Sequence, residues 1–267
     1  MTAGPPAIFT GAATHRTIVS ALKELRGRHR LNFVGSHIIS VDQFDRSAAD
    51  RIFEVADKMQ PYAMRQRITQ VLQGAILSNM FFEPSTRTRV SFGSAFNLLG
   101  GEVRETSEAK TSSLAKGESL YDTARVLSGY SDVIVMRHPE PGSVAKFAEA
   151  SRVPVINGGD GTNEHPSQAL LDLYTMRTEI AAHGQSLDGL SIALIGDLRF
   201  GRAVHSLCKL LCLYDNIRLH LISPAELALP QEISGLLKTA GHEVLEYTDM
   251  ADGIRGVDIL YVTRTQE

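Results

Sequence analysis

Residues 74–80 read GAILSNM, residues 81–89 FFEPSTRTR and residues 90–99 VSFGSAFNLL. The first run is apolar, short and bounded by Gly74, which predicts a buried strand. In the third, Phe92, Phe96 and Leu99 recur at the three-and-four spacing of one helical face, and Gly100-Gly101 supplies a stop. The nine residues between them therefore form a strand-to-helix turn, the unit from which parallel α/β sheets are built.

A helix starting near Pro84 or Ser85 aims its unpaired backbone N–H groups, and the positive end of its dipole, at whatever lies before it. Ser85, Thr86 and Thr88 add hydroxyl donors, while Arg87 and Arg89 add guanidinium forks suited to phosphate or carboxylate oxygens. This predicts an anion site. The competing reading is an N-cap at Ser85 followed by two solvated arginines.

Outward from the turn, the pattern repeats. Upstream, HIISV (37–41) predicts a short strand, and Ser47 a cap for a helix reaching Met59 with Ile52, Phe53, Val55 and Ala56 inward. Downstream come a strand over 102–107, a polar loop TSSLAKGE (111–118), a helix over 120–127 and a buried strand VIVM (133–136) ending at Arg137. A helix over 145–150, a strand VPVI (153–156) and a glycine-rich loop over 157–161 lead to His165. An amphipathic helix over 168–180 could pass from one domain to the next, before strands over 190–195, 217–222, 243–247 and 257–262 alternate with helical segments. The expected fold is α/β, with two domains that are each a parallel sheet flanked by helices. The boundaries expected are 1–34 for a flexible N-terminal extension, 35–181 for a first domain and 182–267 for a second.

Ligands of parallel sheets bind at the carboxyl ends of strands. Residues 85–89, Arg137, His165, Arg202 and Arg264 all fall at such ends. Any one of them alone reads as a solvated loop residue, but their joint placement points to one site for negatively charged ligands.

FFEPSTRTR resembles the carbamoyl-phosphate signature of the aspartate carbamoyltransferase family, and HPSQ (165–168), MRHP (136–139) and GDLRFGR (196–202) are similar to further motifs of that family. The resemblance covers about residues 36–267 and carries the specific assignments. It implies transfer of a carbamoyl group from carbamoyl phosphate to the amine of L-aspartate, giving N-carbamoyl-L-aspartate and phosphate, the entry to pyrimidine synthesis. It implies that residues 35–181 bind carbamoyl phosphate through Ser85, Thr86, Arg87, Thr88, Arg137, His165 and Gln168, with Ser112 and Lys116. His165, Arg87, Thr88 and Arg137 are the implied catalytic groups, His165 donating to the carbonyl oxygen and Gln168 contacting the amide. Aspartate is implied to be held by residues 182–267, through Arg202, Arg264 and Gln266, and by Lys116. The loop SSLAKGES resembles one that the family inserts into a neighbouring subunit, so a homotrimer with shared sites follows, with room for a regulatory or other pyrimidine-pathway chain. No metal and no cofactor is expected. One departure is that the chain runs one residue past Gln266, where family members continue for some tens of residues; a truncated second domain is the resulting expectation.

Composition constrains the rest. With 43% hydrophobic and 21% charged residues in 267, the chain reads as an ordinary globular protein of one or two domains. A net charge of -3 argues against nucleic-acid or membrane-surface partners, and no apolar run approaches the roughly 18 residues of a membrane span. Cys208 and Cys212 lie in a helical pattern, not in a disulfide framework. His205 shares that helical face, but three groups on an apolar face make a weak metal site. Before Val34 stand Arg16, Lys23, Arg26, Arg28 and Arg30 against the single Glu24, a local charge of +4. A cytoplasmic protein with a loose N-terminal extension is expected, with an organelle transit peptide as the alternative. Among rival functions, an ornithine-specific relative lacks a use for Arg202 and usually carries lysine at the place of Glu83. A nucleotide-dependent dehydrogenase fails because Gly196 and Gly201 do not complete G-x-G-x-x-G. An inactive relative keeping only the fold is the remaining alternative.

Overall fold

The structure is a computed structural model describing residues 33–107 and 117–264. Their strands form two four-stranded sheets, each wholly parallel. In the first, β1 (Ile76–Phe81), β2 (Glu102–Ser107), β3 (Val133–His138) and β4 (Val155–Asp160) run in the order β2-β1-β3-β4. In the second, β5 (Ser191–Ile195), β6 (Arg218–Ile222), β7 (Glu243–Tyr247) and β8 (Ile259–Val262) run β7-β6-β5-β8. Between them run α1 (Arg46–Ala63), α2 (Thr86–Leu98), α3 (Leu120–Leu127), α4 (Ser143–Ala150), α5 (Pro166–Ala182), α6 (Arg202–Leu211), α7 (Gln231–Thr239) and the single turn α8 (Met250–Gly253). The doubly flanked parallel sheets expected from the alternation of apolar runs are present.

Period-two alternation explains why both faces of the first sheet are covered. Leu77, Phe81 and Val135 face Phe92 and Phe96 of α2. Met80, Ile134 and Met136 face the other way, onto Ala124 of α3 and Val144 and Phe147 of α4. The second sheet is treated differently. Ile192, Leu194, Leu219 and Leu221 enter the largest apolar cluster with residues of α5, α6 and α7, joined by Ala48, Ala49 and Phe53 of α1. The long helix α5 thus belongs by its packing to the second sheet, while its N-terminus lies at the carboxyl end of β4 in the first.

Three local expectations are corrected. Residues 37–41 are not a strand: Ile38 makes one isolated bridge to Ile156, and Ser40 then caps a 3-10 turn at Val41–Gln43. The capping box formed with Gln43 takes the backbone donors that a second ladder partner would have needed. Helix α1 is capped by Asp45, not Ser47, because the Asp45 carboxylate accepts from Ala48 N–H at 2.7 Å. The helix also runs past Met59, through Pro61, to Ala63. Residues 157–160 are the end of β4 and not a loop, since Asn157 N–H donates to Ile38 O at 2.8 Å and a register shift against β3 between Met136 and His138 absorbs the glycines. Residues 1–32, 108–116 and 265–267 lie outside the described residues, so the expectations for the N-terminal extension, Ser112, Lys116 and Gln266 fall there.

Candidate active site

The carboxyl ends of β1, β3 and β4 in one sheet, and of β5 and β8 in the other, carry the charged residues singled out above. Between β1 and α2 lies a cleft of about 270 Å³ lined by Glu83, Pro84, Ser85, Thr86 and Arg89, with Phe81 and Phe82 behind. Ser85 is the N-cap residue of α2, but its hydroxyl makes no capping hydrogen bond. The first N–H groups of the helix and the Ser85 hydroxyl therefore both remain open toward the cleft. Arg87 is exposed and has no ion-pair partner among the described residues, whereas Arg89, half-buried, faces Glu105 at 3.8 Å and lines the cleft. Thr88 is half-buried in the first turn of α2.

Glu83 ties three parts of the sequence together. Its Oε1 accepts from Arg137 Nη2 at 2.8 Å and from Arg202 Nη2 at 3.2 Å, and its Oε2 accepts from Arg202 Nη1 at 3.2 Å. Burial alone would raise the Glu83 carboxyl, but the hydrogen bonds from Arg202 and then Arg137 outweigh it and hold the group below the usual carboxylate range. Arg137 is pulled down, first by burial and then by the charge of Arg202, with Arg264 adding to the repulsion. The cluster thus carries more positive than negative charge.

Arg202 reaches Glu83 because of the turn that precedes it. Gly196 sits at φ +117°, where a Cβ would come within 2.7 Å of Thr263 O, so only glycine lets β5 leave the sheet beside the end of β8. Asp197 then accepts from Arg199 N–H at 3.1 Å and Phe200 N–H at 2.9 Å, folding the loop so that α6 begins at Arg202. Arg202 Nη1 also donates to Gly161 O, and Gly159 leaves room for the guanidinium, since a Cβ there would lie 3.2 Å from its central carbon. With Nη1 spent on Glu83 and Gly161 and one Nη2 proton on Glu83, the Nε–H and second Nη2–H remain, a side-on fork of the geometry that binds carboxylates.

His165 is buried and caps α5: its Nδ1 accepts from Gln168 N–H at 3.3 Å, and Pro166 follows at the first helical position. Its own N–H donates to Ser206 Oγ of α6 at 3.2 Å. The preceding Glu164, also buried, accepts from Val41 N–H, Ser40 Oγ and Lys209 Nζ. Burial first, then Arg137 and Arg202, push the imidazole down to about 3, against a smaller lift from Glu83. The ring is neutral at physiological pH, and because Nδ1 accepts, its one proton is on Nε2. Such a group donates a hydrogen bond without bringing a net charge.

The structure brings together Arg137, His165, Arg202 and, through its charge, Arg264, with Ser85 and Thr86 lining the adjoining cleft. It does not bring Arg87 into that lining. Gln168 lies in the first turn of α5 and donates through Nε2 to Asp172 Oδ1 at 2.8 Å. Residues missed from the sequence are Glu83 as the joint of the cluster, Asp172 and Tyr261; Arg89, named from the sequence as an anion-binding candidate, lines the cleft. The i, i+4 spacing of Gln168 and Asp172 was a readable signal, whereas nothing in the sequence links Tyr261 to either. Among the described residues no three His, Cys, Asp or Glu side chains converge as metal ligands. His205 Nε2 instead lies 2.9 Å from Leu198 O, and Cys212 Sγ donates to Cys208 O.

Comparison with known proteins is consistent over both sheets. The family described as aspartate/ornithine carbamoyltransferase, carbamoyl-P binding domain, matches residues 36–178. An aspartate carbamoyltransferase catalytic subunit from Saccharophagus degradans is 68% identical over 237 residues, 89% of this chain and 70% of the relative. That of Cellvibrio japonicus is 65% identical over the same shares. Among solved structures, the catalytic subunit of M. jannaschii aspartate transcarbamoylase superposes with a TM-score of 0.81 at 46% identity, covering 86% of this chain and 74% of the other. The Trypanosoma cruzi enzyme in complex with carbamoyl phosphate and aspartate gives 0.80 at 39% identity, covering 87% and 77%.

Proposed function

This chain belongs to the aspartate/ornithine carbamoyltransferase family, and on that premise we propose that it transfers the carbamoyl group of carbamoyl phosphate to the amine of L-aspartate. The products are N-carbamoyl-L-aspartate and phosphate, as in pyrimidine synthesis. The observation that carries this reading is the pair Arg137, on β3 of the first sheet, and Arg202, at the start of α6 after β5 of the second, held on a single carboxylate beside a neutral histidine.

In this reading the phosphate sits at the N-terminus of α2, against the open N–H groups and the hydroxyls of Ser85, Thr86 and Thr88, with Arg87 free to fold over it. Nε2–H of His165 and the guanidinium of Arg137 point their donors at the carbonyl oxygen, where negative charge grows as the amine attacks. The unspent fork of Arg202 takes the α-carboxylate of aspartate, and Arg264 the side-chain carboxylate. The neutral amine forms the new N–C bond, the bond from the carbonyl carbon to the bridging oxygen breaks so that this oxygen leaves with the phosphate, and the proton that the nitrogen then sheds passes to the leaving phosphate. No covalent enzyme intermediate is required; orientation of two anions supplies much of the acceleration. By the likeness of SSLAKGES (112–119) to the family's inserted loop, the working form is a trimer with shared sites.

The test is formation of carbamoyl-aspartate by the purified chain, with ornithine as the competing acceptor, and light scattering on the same sample. Turnover of aspartate alone, at three chain masses, is expected. Turnover of ornithine in preference to aspartate would contradict the roles of Arg202 and Arg264.

A further inference from the structure

Asp172, a half-buried residue of α5, accepts from two directions. Gln168 Nε2 donates to its Oδ1 at 2.8 Å, and Tyr261 OH, from β8 of the other sheet, donates to its Oδ2 at 3.0 Å. A carboxylate can only accept, so the end of the Gln168 amide that faces Asp172 must be the NH2 group and the other end must be the carbonyl. Burial raises the Asp172 carboxyl, and the bonds from Gln168 and Tyr261 counter this by favouring its charged form. Gln168 Oε1 has no protein partner among the described residues. The neighbouring cluster supplies donors, Arg137, Arg202 and Nε2–H of His165, and its carboxylate, Glu83, is taken up by both arginines. Carbamoyl phosphate carries one NH2 group, which needs an acceptor and finds none among those three.

We propose that Asp172 and Tyr261 are positioning residues that lock the Gln168 amide with Oε1 toward the ligand, so that the site selects an acyl phosphate bearing an NH2 group. The inference rests on the carbamoyl-transfer reading. Tyr261 stands three residues before Arg264, so the lock also ties the carbamoyl-binding end of α5 to the strand that carries an aspartate-binding arginine. Without the lock, the Gln168 amide turns freely and presents either end.

The measurement is calorimetric binding of carbamoyl phosphate and of acetyl phosphate, which has a methyl group in place of NH2, to the full chain and to Asp172→Ala, Tyr261→Phe and Asp172→Asn. The unaltered chain should favour carbamoyl phosphate. Asp172→Ala should lose about tenfold of that preference, the scale of one oriented hydrogen bond, with acetyl phosphate affinity unchanged. Tyr261→Phe, which removes one hydroxyl and little packing, should lose part of it. Asp172→Asn should restore it, because its amide oxygen can still accept from Gln168. Equal loss for both ligands, or full retention of the preference in Asp172→Ala and Tyr261→Phe, overturns the inference. An unaltered chain that binds neither ligand overturns the carbamoyl-transfer reading itself, which separates the two failures.

Discussion

Replacing Arg202 by alanine is expected to lower kcat/KM for aspartate by about 10²–10³-fold, the range for deleting one partner of a buried, hydrogen-bonded charge pair. The change removes more than a substrate contact. Arg202 spans both carboxylate oxygens of Glu83 and donates to Gly161 O, so its loss leaves Glu83 with Arg137 alone and the end of β4 without its cap. Arg202→Lys should recover little, because an ammonium cannot span two oxygens of Glu83 and offer a second fork to the substrate. Steady-state kinetics with carbamoyl phosphate saturating would separate the effects: the rise should fall mainly on KM for aspartate. A loss below about tenfold in Arg202→Ala would show that Arg202 only braces Glu83.

His165→Ala should cost on the order of 10²–10³ in kcat, as removal of one preorganised donor to a developing oxyanion does, with a smaller change in aspartate KM. Because the folded imidazole titrates at about 3 and the unfolded one near 6.5, activity should show no limb from His165 between pH 5 and 9. The stability consequence has a definite sign. Between those two values the unfolded chain binds a proton that the folded chain does not. The contribution of the neutral ring is therefore complete above about 6.5 and lost as pH falls toward 3, at up to about 1.4 kcal/mol per unit. Urea unfolding at pH 7 and pH 5 should show a smaller acid-induced loss in His165→Gln than in the unaltered chain. An identical loss in both would place the acid sensitivity elsewhere, for instance in Glu83, whose depressed carboxyl acts with the same sign at lower pH.

The contrast between β1 and residues 37–41 shows how far pattern alone reaches. Both are apolar runs of similar length, but only the first found ladder partners on both sides, β2 and β3. Ser40 and Gln43 satisfied each other locally and closed a turn instead. In the same way the glycines of residues 157–160 suggested a loop, while their backbone hydrogen bonds to Ile38 and β3 made them strand. Local composition does not report which neighbour will supply the missing half of a hydrogen bond.

What the sequence determined by itself is the order of strands and helices, their parallel arrangement, and the set of cationic and donor residues waiting at strand ends, because periodicity and terminal chemistry are local properties. What only the tertiary structure decided is which of those residues share an electrostatic field: Glu83 between Arg137 and Arg202, His165 held neutral by burial and then by both arginines, and Tyr261 reaching across to Asp172. Those relations depend on separations of tens to more than a hundred residues closing to about 3 Å, which no spacing along the chain encodes.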